Sequence, residues 1–181
     1  NEIPGSVIVD KLADENDNSL QPGDFTLREA ISLVGIADIT TIRFADTLAN
    51  ETITLSLGPL LVDKDITIDG QDKNITISGG DVISLFKVTS GNVVIRNLTL
   101  RNGLARGGDG GTGSYMGFNG AGGGGGGLGG AMAIADGKVT VEAVNFIENR
   151  AIGGNGGSHS YSGYYNPYLT NYRTGSGGNS T

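Results

Sequence analysis

The chain of 181 residues contains no cysteine, no tryptophan and a single histidine. Without cysteine it has neither a disulfide framework nor a thiolate site for a metal ion. No apolar run approaches the roughly 18 residues that a membrane-spanning helix needs. Charged residues make up only 17% of the chain, and the formal net charge is −7. This acidic balance argues against binding to the nucleic-acid backbone or to an anionic membrane surface.

Glycine is the residue that the chain has in excess. It accounts for 33 residues, and 25 of these follow Leu100. Low charge, absence of cysteine and abundant Gly, Asn, Ser and Thr favour a secreted or cell-surface protein over a cytoplasmic enzyme. The length predicts a single domain over residues 1–181, large enough for a core of its own.

One sequence unit occurs twice in the second half of the chain. A shift of 46 residues places Leu85–Gly117 on Ala131–Gly163 without a gap. Each copy begins with a segment of alternating apolar residues, 85–105 or 131–151, and continues into a glycine-rich insert. Repetition at a fixed period of this size is typical of proteins built from stacked repeats.

Short strands recur through the first half of the chain at a similar spacing. Alternating apolar residues predict a first strand at Val7–Val9, then strands at Ile42–Phe44, Ile53–Leu55, Ile66–Ile68 and Ile75–Ile77. Equivalent strand positions follow one another every 20 to 23 residues. This spacing predicts an all-β parallel solenoid, whereas an antiparallel sandwich would leave it unexplained.

The solenoid hypothesis assigns each strand residue to the inside or the outside. Inward residues of the first repeat should stack on their equivalents in the second, which pairs Val93, Ile95, Leu98 and Leu100 with Val139, Val141, Val144 and Phe146. Arg96 and Glu142 should then share one outward position on neighbouring strands, about 4.8 Å apart. An opposite-charge pair at that position supports the predicted register.

A short amphipathic helix is predicted ahead of most of the strands. Thr26 and Glu29 have the three-residue spacing of a capping box, in which each side chain binds the other's backbone N–H. Four apolar residues follow at helical spacing, namely Leu27, Ala30, Ile31 and Val34. Gly35 is suited to end the helix.

Three phrases of the sequence carry a resemblance to a known family. Thr26–Ile31 resembles the "SLREAI" N-terminal helix of large secreted or cell-surface bacterial proteins with right-handed parallel β-helix repeats. Asp65–Gly70 and Gly129–Ile134 resemble phrases that recur in the coils of these proteins. They have the pectin-lyase-like fold and include adhesins and polymorphic outer-membrane-type proteins. The likeness covers nearly all of 7–157.

The resemblance implies a right-handed parallel β-helix of about 21 to 23 residues per coil, with the helix as a cap on the first coil. The chain then divides into an N-terminal strand and cap (1–40), coils (41–105 and 131–152), a glycine-rich insert (106–130) and a Gly/Tyr-rich insert or tail (153–181). A structural or adhesive role outside the cell follows from the likeness.

The inserts allow two interpretations. They are flexible surface loops, or the insert of one repeat packs against that of the next, since glycine backbones can approach closely. Both inserts carry aromatic residues that would offer contact area for self-association: Tyr115, Phe118, Tyr161, Tyr164, Tyr165, Tyr168 and Tyr172. Neither insert has the lysine and the strand-to-helix context of a phosphate-binding loop.

The spacing also predicts an unpaired edge. The strand after the second insert should begin near Gly177, four residues before Thr181. The last coil would then have an open face. Either the chain is a fragment of a longer solenoid, or another subunit covers this face head to tail, which builds a filament.

Candidate chemistry is sparse. Asp10, Asp14 and Asp17 could bind calcium through carboxylate oxygens, but they lack the spacing of a calcium loop, so a solvated acidic loop is the favoured interpretation. His159, the lone histidine, has no carboxylate near it in sequence. Asn50, Asn74, Asn97 and Asn179 begin N-glycosylation patterns that matter only in a suitable host.

The resemblance raises the alternative of an enzyme, because pectin-lyase-like folds include polysaccharide lyases and hydrolases. Such enzymes cluster Asp, Arg or Lys on one outer face, whereas the outward positions here are mostly Thr, Val and Asn. Asp63, Asp65, Asp69 and Asp72 form the best carboxylate group, in turn-like contexts where Asp is expected for structural reasons. We therefore expect that the protein is not an enzyme and that it has no cofactor other than the candidate calcium ion. We expect a module that associates with itself, with a glycan or cell-surface ligand as a further partner.

Overall fold

The computed structural model describes residues 5–17, 19, 21–36, 38–113 and 121–158. Within them the chain is mainly β, with one α-helix (α1, Leu27–Leu33) and one 3-10 turn (Asp46–Leu48). The strands are β1 Ser6–Val9, β2 Thr41–Phe44, β3 Thr52–Thr54, β4 Leu60–Val62, β5 Ile66–Asp69, β6 Ile75–Ser78, β7 Phe86–Val88, β8 Asn92–Arg96, β9 Leu98–Arg101, β10 Leu104–Arg106, β11 Met132–Ile134, β12 Lys138–Glu142, β13 Asn145–Ile147 and β14 Arg150–Ile152.

Three parallel sheets contain most of these strands. Sheet A has the order β1-β2-β5-β8-β12, sheet B the order β13-β9-β6-β3, and sheet C the order β11-β7-β4. A separate two-stranded sheet pairs β10 with β14. From β2 to β9 the chain passes through sheets A, B and C in turn, so consecutive strands never pair with each other.

The register of the last strand pairs confirms the sequence repeat. Met132 pairs with Phe86 in sheet C, Val139 with Val93 in sheet A, and Asn145 with Thr99 in sheet B. Each pair is separated by the 46 residues of the predicted shift. Glu142 pairs with Arg96, as the alternation of apolar residues indicated.

The core follows from the alternation within each strand. Ile42, Ile68 and Ile95 pair in succession across sheet A, and all three are fully buried. Their outward neighbours Thr41, Thr67 and Val94 form a parallel column that is partly exposed. β-Branched side chains dominate both columns, and they pack well on a pleated surface.

Helix α1 covers the core beside β1, β2 and β4. Its buried face contains Leu27, Ala30 and Ile31. The predicted capping box is confirmed, because the Glu29 N–H donates to Thr26 Oγ1 at 3.3 Å and the Thr26 N–H donates to Glu29 Oε2 at 3.0 Å. With seven residues, α1 is too short to cross a bilayer, and the described part of the chain has no helix suited to do so.

The chain forms two compact units. The first comprises the described residues of 1–105 together with 129–150, and it contains sheets A, B and C. The second comprises the described residues of 106–128 and 151–158. The sequence suggested one domain with two inserts, and the structure gathers the described parts of those inserts into a unit of their own.

Left-handed residues mark the turn before each strand of sheet B. Asn50, Asn74 and Asn97 have φ values of 66°, 51° and 57° before β3, β6 and β9, and Ala143 has 50° before β13. Asparagine tolerates this conformation, whereas alanine is strained by its Cβ. Three of the four glycosylation patterns therefore coincide with asparagines that the turns require for their backbone conformation.

Replacing Ala143 by Asn should stabilise the protein by about 0.5–1 kcal/mol, because it relieves the left-handed strain at this turn. The free energy of unfolding in urea measures the gain. Ala135→Asn is the matched control, since Ala135 is exposed and lies outside the residues with positive φ, and it should give no gain. Equal effects of the two substitutions would contradict the strain argument.

Candidate functional site

The last strands of the three sheets form one exposed edge. We call it the terminal edge and define it as β11, β12 and β13, residues 132–134, 138–142 and 145–147. Each of these strands is the outermost in its sheet and has a described neighbour on one side only. An unpaired parallel edge presents backbone N–H and C=O groups that can pair with another strand.

Apolar side chains are exposed along the terminal edge. Val141 is 44% exposed and Phe146 is 47% exposed, although their register partners Ile95 and Leu100 are fully buried. The alternation predicted that these residues point inward, and the register agrees with that prediction. No described strand packs over them, so their burial is incomplete.

The other predicted inward residues of the second repeat are better covered. Val139 and Val144 are partly buried and pack against the core. Ile134 and Ile147, also on the terminal edge, are 52% and 43% exposed. The terminal edge is therefore an apolar surface, and within the described part of the chain its strands have no strand partner on their outer side.

A column of alternating charge crosses sheet A and reaches the terminal edge. Asp69, Arg96 and Glu142 occupy the same position on β5, β8 and β12. The Arg96 guanidinium binds the Asp69 carboxylate at 2.9 Å. Arg96 and Glu142 are therefore register partners, as predicted. The ion pair of the Arg96 guanidinium, however, is with Asp69.

The environment of Asp69 favours its ionised form. Burial raises the pKa of its carboxyl, but the Asn97 side chain, the Gln71 backbone N–H and the Arg96 guanidinium outweigh burial and hold that pKa below its usual range. The Asn97 amide donates at 2.8 Å. Asp69 therefore links the charge column to the left-handed turn before β9.

The acidic loop between β1 and α1 stabilises the opposite side of the first unit. The Asp14 side chain is 2% exposed and accepts hydrogen bonds from Arg28 Nε at 2.7 Å and from the backbone N–H groups of Ser56 and Leu57 at 2.7 and 2.8 Å. Burial raises the pKa of Asp14, but these donors outweigh it and keep that pKa below its usual range. Asp14 thereby satisfies backbone donors just beyond β3.

The other carboxylates proposed for calcium have local partners. Asp10 accepts from the backbone N–H groups of Gly23 and Phe25 at 2.6 and 2.8 Å, and Asp17 accepts from the Ser19 N–H at 2.8 Å. Among the described residues, no three acidic or histidine side chains come together as metal ligands. The geometry thus gives no support to a calcium site at Asp10, Asp14 and Asp17, which stays a prediction.

Two of the carboxylates considered for catalysis have structural partners. Asp65 accepts from the Asn92 N–H at 2.7 Å and Asp69 is bound by Arg96. An open depression of about 360 Å³ beside α1 contains a single carboxylate, Asp63, with Arg28 and Lys64 near it. Glycoside hydrolysis ordinarily needs two carboxylates, and the described lining of this depression supplies one.

Three glycine-rich segments lie side by side in the second unit. We call 107–113, 121–127 and 153–158 the glycine bundle. The first and third segments run in the same direction, since Gly107 and Gly110 donate to the carbonyls of Ile152 and Asn155 at 2.9 and 2.7 Å. The middle segment is antiparallel to both.

The donors of the middle and third segments complete the bundle. Gly122 and Gly125 donate to Gly111 and Gly108 at 3.0 and 2.8 Å. Gly154 donates to Gly125, and Gly157 to Gly122, both at 2.8 Å. The donors recur at every third residue, which is the period of a polyproline II helix rather than of a β-strand.

The same period decides which glycines are indispensable. A Cβ on Gly107, Gly124 or Gly154 would lie 2.0 Å from a carbonyl oxygen of a neighbouring segment, whereas Gly108 and Gly126 have open space. Glycine is therefore required where the segments touch. The sequence indicates that the inserts can pair side by side. The three-residue period is contained in its Gly-x-x-Gly spacing but was not predicted from it.

The aromatic residues proposed for self-association lie outside the described residues. They are Tyr115, Phe118, Tyr161, Tyr164, Tyr165, Tyr168 and Tyr172. His159 also lies outside them. The proposal that these aromatics mediate self-association stays a prediction.

Comparison of the chain with protein-family models, curated proteins and solved structures finds no match. The likeness to β-helix adhesins therefore depends on the short phrases in this sequence.

Asp14→Asn should lower the free energy of unfolding at pH 7 by about 1.5–3 kcal/mol, because three donors then lose a charged acceptor. Ionised Asp14 contributes stability above its unfolded pKa of about 3.9, and that stability is lost as pH falls through the lower folded pKa. The difference between variant and wild type should accordingly shrink below about pH 4. Urea unfolding at several pH values measures it, with exposed Asp72→Asn as the control. A difference independent of pH would contradict this assignment.

Gly154→Ala should open the glycine bundle, because its Cβ would collide with the Gly108 carbonyl oxygen. Amide hydrogen exchange measured by NMR should show protection at least about tenfold lower at residue 154 and at Gly157. Gly126→Ala, with open space around the new methyl group, is the matched control and should leave both rates unchanged. Unchanged protection in Gly154→Ala would refute the close packing.

Proposed function

We propose that this protein is an extracellular structural or adhesive module built as a right-handed parallel β-solenoid. The path of the chain supports the solenoid: it visits sheets A, B and C in turn, and the strand pairings described in them are parallel. A core of stacked apolar columns is what such a path produces. The composition and the likeness to β-helix adhesins support a location outside the cell.

The observation that carries the structural role is the terminal edge. It joins exposed Val141 and Phe146 to three strands with one described neighbour each, which is a surface suited to adding further β-structure. The opposite side of the core is covered by α1. Self-association through the terminal edge is therefore favoured, and the head-to-tail filament suggested by the sequence would have to use the α1 side as well.

A polysaccharide-active enzyme is the second candidate. The likeness to pectin-lyase-like proteins favours it, together with the depression that contains Asp63, Arg28 and Lys64. Among the described residues that line the depression, Asp63 is the single carboxylate, which speaks against a hydrolase that needs two.

The two candidates make opposite predictions for uronic-acid polymers. A structural module should release no unsaturated or reducing ends from polygalacturonate or alginate over a day of incubation. Turnover that Asp63→Asn abolishes, and that the control Asp46→Asn at an exposed carboxylate outside this group leaves intact, would replace the structural role by the enzyme. Release by both variants alike would indicate a contaminating activity, and the proposed role would then be retained.

A further inference from the structure

We infer that two copies of this chain pair through β12, antiparallel and about a twofold axis at Thr140. The inference deepens the proposed structural role by naming the partner of the terminal edge as a second copy. Three features support this pairing: the sequence of β12, the charge column in sheet A and the exposure of the terminal edge.

The strand β12 is complementary to itself. Its sequence is Lys138-Val139-Thr140-Val141-Glu142. Antiparallel pairing about the central Thr140 places Lys138 of each copy opposite Glu142 of the other, and Val139 opposite Val141. Each contact occurs twice, as a twofold interface requires. Opposite charges and β-branched residues facing each other stabilise cross-strand pairs.

The pairing also continues the pattern already built into sheet A. Asp69, Arg96 and Glu142 alternate in sign along one column, and Lys138 of the second copy would be the next residue in it. The neighbouring column of Ile68, Ile95 and Val141 would continue with Val139 of the second copy.

Exposure indicates that this edge needs a partner. Val141 is 44% exposed, whereas Ile95 before it in the column is fully buried. On the terminal edge, Phe146 at 47% and Ile134 at 52% are exposed in the same way. A second copy would cover these side chains with apolar side chains of its own terminal edge.

The other arrangement of two copies is less suitable. A head-to-tail contact would bring the terminal edge of one copy to the α1 side of another, where Leu27, Ala30 and Ile31 are already buried. On that side Asp14 already occupies the N–H groups of Ser56 and Leu57. A twofold pair uses the terminal edge twice and requires no change at α1.

Charge reversal tests the pairing, with sedimentation equilibrium between about 1 and 100 µM as the readout. Wild type should show a monomer–dimer equilibrium that does not extend to larger species. Lys138→Glu places two carboxylates opposite each other at both contacts, and Glu142→Lys places two ammonium groups there. Each variant should weaken dimerisation by about tenfold or more, because two attractive pairs become repulsive.

The decisive measurement combines the two variants. An equimolar mixture of Lys138→Glu and Glu142→Lys brings a carboxylate and an ammonium group together at both contacts of each mixed pair, so mixed dimers should form although each variant alone dimerises weakly. The double variant gives a second test. With both substitutions in one chain, each contact again joins a carboxylate and an ammonium group. The double variant should therefore recover wild-type dimerisation, and recovery also shows that the substituted chains are folded.

Lys87→Glu is the matched control, since it makes the same change of charge at an exposed residue of β7, a strand that has strands on both sides. It should leave dimerisation unchanged. Monomers at about 100 µM, open-ended polymers, or single variants that dimerise as wild type does would each overturn the inference. Turnover of a polysaccharide would overturn the proposed function alone, because it leaves the association data unaffected.

Discussion

Parallel pairing between strands that are far apart in sequence is the constraint on which the first unit depends. Each strand of sheets A, B and C pairs with a strand that the chain reaches only after visiting other parts of the structure. Equivalent residues therefore lie directly beside one another, as Ile68 and Ile95 do. A side chain that packs well at one position therefore contacts the side chain at the same position of the next strand. This parallel register explains the columns of isoleucine, threonine, asparagine and alternating charge.

Much of this fold could be predicted from the sequence because its signals are local. Alternation of apolar residues placed β2, β3, β5 and β6 to within a residue or two, and Thr26 and Glu29 identified the start of α1. The 46-residue shift fixed the register of β8 with β12. Strand β4 was not predicted, because Leu60-Leu61-Val62 is a continuous apolar run that does not alternate.

The candidate site was harder to predict because it depends on contacts that a pattern does not contain. Alternation gives the direction in which Val141 and Phe146 point, but it does not tell whether another strand covers them. The carboxylates of Asp10, Asp14 and Asp17 are close in sequence, yet each is engaged by its own donors. In the glycine bundle, composition suggested close approach, while the three-residue period became evident only from the hydrogen bonds.

The two sides of the core differ in how they meet the problem of an unpaired parallel edge. On one side, α1 buries apolar residues and Asp14 binds backbone N–H groups beyond β3, so an added strand would have to displace both. On the other side, β12 is an exposed edge strand with Lys138 at one end and Glu142 at the other. Two such strands in antiparallel order place opposite charges side by side. The pairing that we propose would satisfy the β12 edge, and a closed twofold contact does not propagate through the same surface. A finite, two-ended structural unit is the assembly that this asymmetry favours.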